Sequence, residues 1–406
     1  MKILVLHTHY QQPGGEDQVF AAEVAYLREQ GHETNTLTFY NSDMQVMRNW
    51  RQVGTTLWNQ AAYRLTRATI RKHRPRIVHM HNTFPAASPG VLFAAKAEGV
   101  PVVMSLHNYR LLCVNGLFYR DGRPCEMCMG SLPWRGAAHG CYRNRAASKV
   151  VAGMLALHRS LGTWNRVDAY IALSEFSRKK FIEGGLPDEK IVLKPNFIIN
   201  SALSESSETS NQELLNSFFP SRNTFYSLFV GRLSPEKGIQ TLLRSFLLLP
   251  NNKLILVGDG PLLGEARNFA QQNNMKNISI LGRQSRADVL RLVNRATFLV
   301  CPSEWYEHFP MTIVEAFASG LPVIASRLGA MAEIVEDGRT GLHFRPGDAQ
   351  DLANKVAWAR AHPEEMAEMG KKARREYETK YTAQRNYQML MEIYDKAMAH
   401  HRKANV

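Results

Sequence analysis

Two carboxylates flank a predicted strand-to-helix turn in the segment EHFPMTIVE, residues 307–315. The apolar run at 297–303 predicts a buried strand before it, and Pro310 suits the first turn of a helix. Apolar residues with helical spacing follow, so Glu315 would lie on a mostly buried helix. A buried carboxylate needs polar partners, and the hydroxyl groups of a ligand can supply them. Glu307 would reach the same site from the preceding loop. Alternatively, Glu315 only complements the helix dipole and Glu307 is solvated.

Two cations follow an earlier predicted strand, just as Glu307 follows the strand predicted at 297–303. The segment SLFVGRLSPEKGIQTLL, residues 227–243, predicts a strand ending at Gly231, a turn, and a helix from about Gly238. Arg232 and Lys237 would then stand where ligands bind in open α/β sheets. Cations held there would offset negative charge on a departing phosphate. Taken singly, either residue would be interpreted as a solvated surface charge.

Four further segments of this half predict strands that alternate with helices. They are KLILVGDGP (253–261), ISILGR (278–283), LPVIAS (321–326) and GLHFRPGD (341–348). The order of the motifs over residues 227–353 resembles the nucleotide-sugar-binding half of retaining glycosyltransferases of family 4, which have the GT-B fold. The resemblance implies an enzyme that takes a sugar from a nucleotide-diphosphate donor.

The resemblance also implies a role for each matching residue. Arg232 and Lys237 would hold the donor diphosphate and stabilise the leaving group, and Glu307 would contact the transferred sugar near the reacting carbon. Glu315 would receive the ribose hydroxyl groups. His308 stands where the family often has glycine, so the identity of the sugar does not carry over. The implied donor-binding residues are Gly14, Gly15, Gly258, Gly260, Arg283, Phe309, Pro310, Met311, Thr312 and Glu315.

The length of 406 residues suits two α/β cores. The resemblance implies two Rossmann-like parallel-sheet domains facing a cleft, with a C-terminal helix crossing back to the N-terminal domain. A Ser/Asn/Glu-rich stretch predicts the linker between them. The predicted parts are an acceptor-binding domain (1–197) with a Cys-rich loop (109–145), a linker (198–224), a nucleotide-sugar-binding domain (225–380) and the returning helix (381–406).

Several residues of the N-terminal half follow predicted strands. Gly14 and Gly15 follow the first strand and would let a ligand approach the backbone closely, or would form an ordinary turn. His107 ends a later strand and matches the family's histidine that contacts the transferred sugar; the alternative is a buried, hydrogen-bonded histidine. His79 and His81 alternate onto one strand face, as metal ligands do. The sequence offers them no obvious third ligand, so we expect a structural or substrate-contact role.

Four of the five cysteines lie in the Cys-rich loop. A C-x-x-C pair with one further cysteine about a dozen residues to either side has the spacing of zinc knuckles. We therefore predict a structural zinc site, with His139 as a substitute ligand and unbound thiols as the alternative. We expect no catalytic metal, because no Asp-x-Asp motif is present. The predicted ligands are Cys113, Cys125, Cys128 and Cys141.

The net charge of +14 is concentrated in the N-terminal half. Residues 1–197 contain 25 Lys and Arg against 14 Asp and Glu. Such a surface suits an anionic partner: phospholipid headgroups, a diphosphate-linked acceptor or nucleic acid. The apolar runs are too short to cross a membrane, and KILVLH predicts a strand rather than a signal peptide. We expect a cytoplasmic protein, with peripheral contact to the inner face of an anionic membrane as a further expectation.

The function that the sequence favours is retaining transfer of a sugar from a nucleotide-diphosphate sugar to an acceptor hydroxyl. The expected acceptor is a glycan or a lipid-linked glycan in bacterial surface-polysaccharide assembly. One alternative is a GT-B nucleotide-sugar epimerase, which needs no acceptor. Another is a zinc-containing nucleic-acid-binding protein built on the Cys-rich loop. That alternative leaves the C-terminal motifs unexplained, so we expect no nucleic-acid partner.

Overall fold

The computed structural model describes residues 1–11, 14–130, 133–199 and 225–404. The predicted linker lies outside these residues from position 200 to 224. The chain divides into two compact units, each with its own parallel sheet. The first unit comprises Met1–Arg120, Cys125–Asn196 and Ala383–Val406, and the second comprises Asp121–Pro124 and Phe197–Thr382.

Strands and helices alternate along most of the chain. The strands are β1 (Lys2–His9), β2 (Glu33–Tyr40), β3 (Ile77–Met80), β4 (Val102–Ser105), β5 (Tyr119–Arg120), β6 (Arg123–Pro124), β7 (Ala169–Ala172), β8 (Ile191–Leu193), β9 (Tyr226–Val230), β10 (Lys253–Val257), β11 (Ile278–Gly282), β12 (Phe298–Cys301), β13 (Val323–Ser326) and β14 (Gly341–Phe344). The helices are α1 (Gly15–Glu29), α2 (Asn49–Leu57), α3 (Gln60–His73), α4 (Gly90–Ala97), α5 (Trp134–Ala138), α6 (Arg145–Ser160), α7 (Glu175–Glu183), α8 (Ile239–Leu247), α9 (Leu263–Gln272), α10 (Arg286–Arg295), α11 (Met311–Ala318), α12 (Gly329–Ile334), α13 (Ala349–Ala361), α14 (Pro363–Lys380) and α15 (Ala383–Ala404).

The sheet of the first unit has six parallel strands in the order β2-β1-β3-β4-β7-β8. Strands β3 and β4 are buried at every residue, as their short apolar runs require in a parallel sheet covered on both faces. The strand order reverses between β1 and β3. The crevice outside the carboxyl ends of strands at such a reversal is where open α/β sheets bind ligands.

The sheet of the second unit has the order β11-β10-β9-β12-β13-β14. This is the strand order of a dinucleotide-binding Rossmann domain, and it reverses between β9 and β12. Its core includes Phe246, Leu254 and Phe298, which are inaccessible to solvent and come from α8, β10 and β12. A rigid core therefore supports the loops that follow β9 and β12.

The last helix, α15, belongs to the first unit. Asn386 donates to the backbone oxygen of Pro195 at 2.6 Å, and the hydroxyl of Tyr394 lies 2.9 Å from Nδ1 of His79. These bonds fasten α15 to the sheet of that unit. Among the described residues, no helix combines the length and the apolar character needed to cross a membrane.

Candidate active site

The loops after β9 and β12 meet at the reversal of the second sheet. The loop after β9 contains Arg232 and then a short 3-10 turn, Pro235–Lys237, that ends at Gly238 with φ 68°. A Cβ atom at Gly238 would lie 2.0 Å from the backbone oxygen of Pro302. Only glycine permits this backbone conformation at such close approach. The approach brings Lys237 against the loop that carries Glu307.

Lys237 and Glu307 form a partly buried ion pair. Nζ of Lys237 donates to Oε1 of Glu307 at 2.5 Å, and the hydroxyl of Ser303 donates to the same oxygen at 2.7 Å. Burial alone would lower the pKa of Lys237, but the charge and hydrogen bond of Glu307 outweigh it and raise this pKa. Lys237 is therefore held in its charged form. Within the described part of the chain, Oε2 of Glu307 accepts no hydrogen bond, so it can accept one from a ligand.

Arg232 differs from Lys237 in having an exposed side chain. Its guanidinium makes no ion pair with any described residue. The charge is therefore available to an anion near Lys237. A planar guanidinium suits two phosphate oxygens at once.

Glu315 lies in α11, which begins after Pro310 in an extended conformation. Its carboxylate is 3.7 Å from Nη1 of Arg286, which is longer than a hydrogen bond. Burial raises the pKa of Glu315, and the charge of Arg286 opposes this shift in part. Among the described residues this distant cation is its one charged partner, so the largely buried carboxylate is suited to accept hydrogen bonds from the hydroxyl groups of a ligand.

Gly258 and Gly260 follow β10, where the backbone of another loop comes too close for any other residue. Sequence analysis did not predict this close approach. Gly258 has φ 143° and Gly260 has φ 157°. Added Cβ atoms would lie 1.8 Å from the backbone oxygen of Gly231 and 2.4 Å from that of Leu233. The two glycines let the loop after β10 cross the loop that bears Arg232. Their implied role in donor binding stays a prediction.

The other predicted donor-binding residues are distributed over both units. Gly14 is the N-cap of α1 with φ −128°, and Gly15 is the first residue of that helix. The remaining residues, in the second unit, are exposed Arg283 after β11, buried Phe309 and Pro310 before α11, and partly exposed Met311 and Thr312 in its first turn.

His107 lies in a hydrogen-bonded network of the first unit. Its Nε2 is 3.0 Å from Nδ1 of His81, whose Nε2 is 3.2 Å from Oε1 of Glu23. Oε2 of Glu23 accepts a bond of 2.9 Å from Lys194. Burial lowers the pKa of His81 to about 4, and burial also holds the pKa of His107 well below its ordinary value. Both rings are therefore neutral at pH 7. The other ring nitrogen of His107, Nδ1, does not take part in the bond to His81.

Glu23 is the partner of His79 and His81 that sequence analysis did not find. Oε1 of Glu23 lies 3.0 Å from Nδ1 of His79. The sequence feature that could have revealed Glu23 is its position on the inward face of α1, between buried Phe20 and Leu27. Its ligand atom and those of the two histidines lie within 4.8 Å of one another. Nε2 of His79 also bonds to the hydroxyl of Ser105 at 2.9 Å, so the group is satisfied as a hydrogen-bonded network.

A second carboxylate–histidine group orders the start of α1. Oδ1 of Asp17 lies 3.0 Å from Nε2 of His7 and 3.0 Å from Nδ1 of His9. Oδ2 of Asp17 accepts from the backbone N–H of Gly14 at 2.8 Å. Burial works against ionisation of Asp17, but the bonds to His7 and Gly14 outweigh it and lower the pKa of Asp17. The group ties the glycines to the end of β1.

The four cysteines of the Cys-rich loop are free thiols gathered in one region. Backbone N–H groups of Gly136 and Val114 donate to the sulfur of buried Cys128. Burial and the nearby thiols of Cys113 and Cys128 raise the pKa of Cys141 to about 11. Among the described residues, however, no three of these sulfurs lie within 4.8 Å of one another. Four thiols and N–H···S bonds fit zinc chemistry, but binding would require the sulfurs to move closer.

Two sequence profiles of glycosyltransferases match this chain. The profile described as "Glycosyl transferases group 1" matches residues 211–376, and "Glycosyl transferase 4-like domain" matches residues 14–196. An uncharacterised glycosyltransferase of Methanocaldococcus jannaschii is 26% identical over 295 residues, 73% of this chain and 68% of that protein. The lipopolysaccharide 1,2-N-acetylglucosaminetransferase of Salmonella typhimurium is 30% identical over 246 residues, 56% of this chain and 64% of that protein. Each match thus spans about two thirds of the relative's length.

Solved glycosyltransferase structures have the same fold. A glycosyltransferase from Rickettsia africae superposes with a TM-score of 0.73 at 17% identity, covering 98% of this chain and 99% of that one. HepE of Anabaena, solved with UDP-glucose, superposes with a TM-score of 0.68 at 20% identity, covering 97% and 100%. The two profiles, one over each half of the chain, and the two parallel sheets all indicate a GT-B glycosyltransferase. The chain is therefore a member of the GT-B glycosyltransferases, of the family 4 type.

Proposed function

We propose that this protein transfers a sugar from a nucleotide-diphosphate sugar to an acceptor hydroxyl, with retention of the anomeric configuration. The observation that carries the proposal is the Lys237–Glu307 ion pair at the loop after β9, which also bears Arg232, a cation without an ion pair among the described residues. Relatives support the donor and the pathway class: HepE of Anabaena was solved with UDP-glucose, and the Salmonella relative is a lipopolysaccharide glycosyltransferase. We place the reaction in the assembly of a bacterial surface polysaccharide.

In this proposal the residues of the second unit bind different parts of the donor. Arg232, charged Lys237 and the first N–H groups of α11 bind the diphosphate, whose negative charge grows as the anomeric C–O bond breaks. Glu315 accepts the ribose hydroxyl groups. Glu307, held by Lys237 and Ser303, presents its other oxygen to the transferred sugar. These cations neutralise the leaving group in the role that a metal ion takes in other enzymes.

The bond changes balance without an additional base. The acceptor oxygen forms a bond to the anomeric carbon on the face from which the diphosphate departs. The acceptor proton passes to the leaving phosphate oxygen. His107 of the first unit is the proposed contact for the transferred sugar, and its pKa keeps the ring neutral at the pH of transfer.

The donor and the stereochemistry can be tested together. UDP-, GDP- and ADP-sugars are screened for a rise in melting temperature, and the product formed from the stabilising donor is examined by NMR. We expect one nucleotide class to stabilise the protein and the product to keep the anomeric configuration of the donor. An inverted product would contradict retention. Isomerisation of the donor without any acceptor would support an epimerase instead.

The same proposal includes a structural zinc ion held by the four cysteines of the Cys-rich loop. We expect wild-type protein purified from zinc-supplemented cells to contain about one zinc per chain, because four thiolates form a closed tetrahedral site. The double variant Cys125→Ser/Cys128→Ser should lose the metal and melt at a lower temperature. Cys301→Ala, which changes a buried cysteine in β12, is the matched control and should keep the zinc. Zinc-free wild-type protein would refute the site.

A further inference from the structure

An apolar surface on the first unit faces solvent around α2. Val46 is 90% exposed, Trp50 is 65% exposed and Val53 is 37% exposed. Trp50 and Val53 stand three residues apart in α2 and share a helix face, while Val46 lies in the turn before it. Thr56 is the buried residue of this helix. Surface helices ordinarily turn their apolar side chains inward. Leu57 of this helix does pack against the core, whereas Trp50 and Val53 remain exposed.

The stretch of chain that contains these apolar residues is rich in cations. Residues 40–76 contain eight Lys and Arg against a single acid, Asp43. Arg67 and Arg71 are the two that pair, both with Glu98. Among the described residues, the other six form no ion pair. These six are Arg48, Arg51, Arg64, Lys72, Arg74 and Arg76.

Two of the unpaired cations lie directly beside the exposed apolar side chains. Arg48 and Arg51 are exposed, and the guanidinium carbon of Arg51 is 5.1 Å from the ring centroid of Trp50. Val46, Arg48, Trp50, Arg51 and Val53 thus form one mixed surface, called here the α2 surface. Tryptophan with aliphatic neighbours suits the boundary between lipid headgroups and acyl chains, and arginine suits the phosphates above it.

We propose that the α2 surface docks this protein on an anionic lipid bilayer. Charge complementarity selects this occupant, because a second copy of the chain would bring the same positive charge against itself. The inference deepens the proposed function, since a lipid-linked acceptor would be presented at such a bilayer. The docking itself does not depend on sugar transfer.

The test is co-sedimentation of the full chain with phosphatidylcholine vesicles, with or without an equal share of phosphatidylglycerol. We expect binding to the anionic vesicles to exceed binding to the neutral ones by about tenfold or more, and to weaken as salt is added. Two double variants, Val46→Ser/Trp50→Ser and Arg48→Glu/Arg51→Glu, should each lower binding by about tenfold or more.

Matched controls come from exposed residues of the second unit. Leu248→Ser removes a side chain that is 51% exposed, and Arg244→Glu reverses an exposed charge. Both should bind vesicles as the wild type does. Stabilisation by nucleotide sugar, measured on every variant, separates failure of docking from failure of the proposed transfer.

Three results would overturn the inference. The first is equal binding of the wild type to neutral and anionic vesicles. The second is wild-type binding by both double variants at the α2 surface. The third is binding to a DNA duplex without binding to anionic vesicles, which would assign the cations to nucleic acid.

Discussion

Replacing Arg232 with alanine lowers the rate of sugar transfer by about a hundredfold or more, which corresponds to roughly 3 kcal/mol of transition-state stabilisation. The guanidinium is unpaired in the described protein, so its charge has the diphosphate as its expected partner. The side chain is exposed, and its removal leaves no buried group without a partner. We therefore expect the melting temperature to change no more than it does for ordinary surface substitutions. Turnover at saturating donor and the thermal midpoint are measured on the same preparation.

Arg244→Ala is the matched control for this experiment. Arg244 is an exposed arginine of the same unit, on α8, and its loss should change neither turnover nor stability. If Arg232→Ala keeps wild-type turnover, Arg232 is a solvated surface charge. If it melts at a much lower temperature, its role is structural. Either result would remove Arg232 from the catalytic residues.

Replacing Glu315 with glutamine weakens donor binding by roughly 10- to 100-fold, because hydrogen bonds to a charged acceptor are worth about 1.5–3 kcal/mol. The same change makes the ligand-free protein more stable at pH 7. Burial raises the pKa of Glu315, so the folded state disfavours the carboxylate, and glutamine has the same shape without the charge. Isothermal titration with the stabilising nucleotide and chemical denaturation provide the two measurements.

The pH dependence of Glu315→Gln has a definite sign. Because the folded pKa lies above the ordinary value of 4.5, protonated Glu315 favours folding at low pH, and this contribution is lost as pH rises through the folded pKa. The stability of the variant relative to the wild type should therefore increase from pH 4 to pH 7. A variant that binds donor normally would contradict the ribose role. A constant difference in stability across this range would contradict the assigned titration.

The placement of the second-unit site could be predicted from local sequence alone. Arg232 and Lys237 follow one apolar strand, and Glu307 follows another. In a parallel sheet the carboxyl ends of strands lie at one edge, so position after a strand is enough to predict that edge. Alternating strand and helix patterns likewise determined the α/β class. The boundaries found for β9, β12 and α11 differ from the predicted ones by only a few residues.

Contacts between distant residues were decided by tertiary structure. Lys237 and Glu307 are 70 residues apart, and Glu23 and Lys194 are 171 residues apart. Local periodicity shows which face a residue occupies but carries no information about which distant side chain meets it there. The close approach of two loops at Gly258 and the distances between the four cysteine sulfurs likewise depend on contacts between distant parts of the chain. The sequence by itself determined the class of fold and the sheet edge at which the proposed site residues of the second unit lie. Packing of the whole chain decided which charges at that edge are paired: Lys237 meets Glu307, whereas Arg232 forms no ion pair with any described residue.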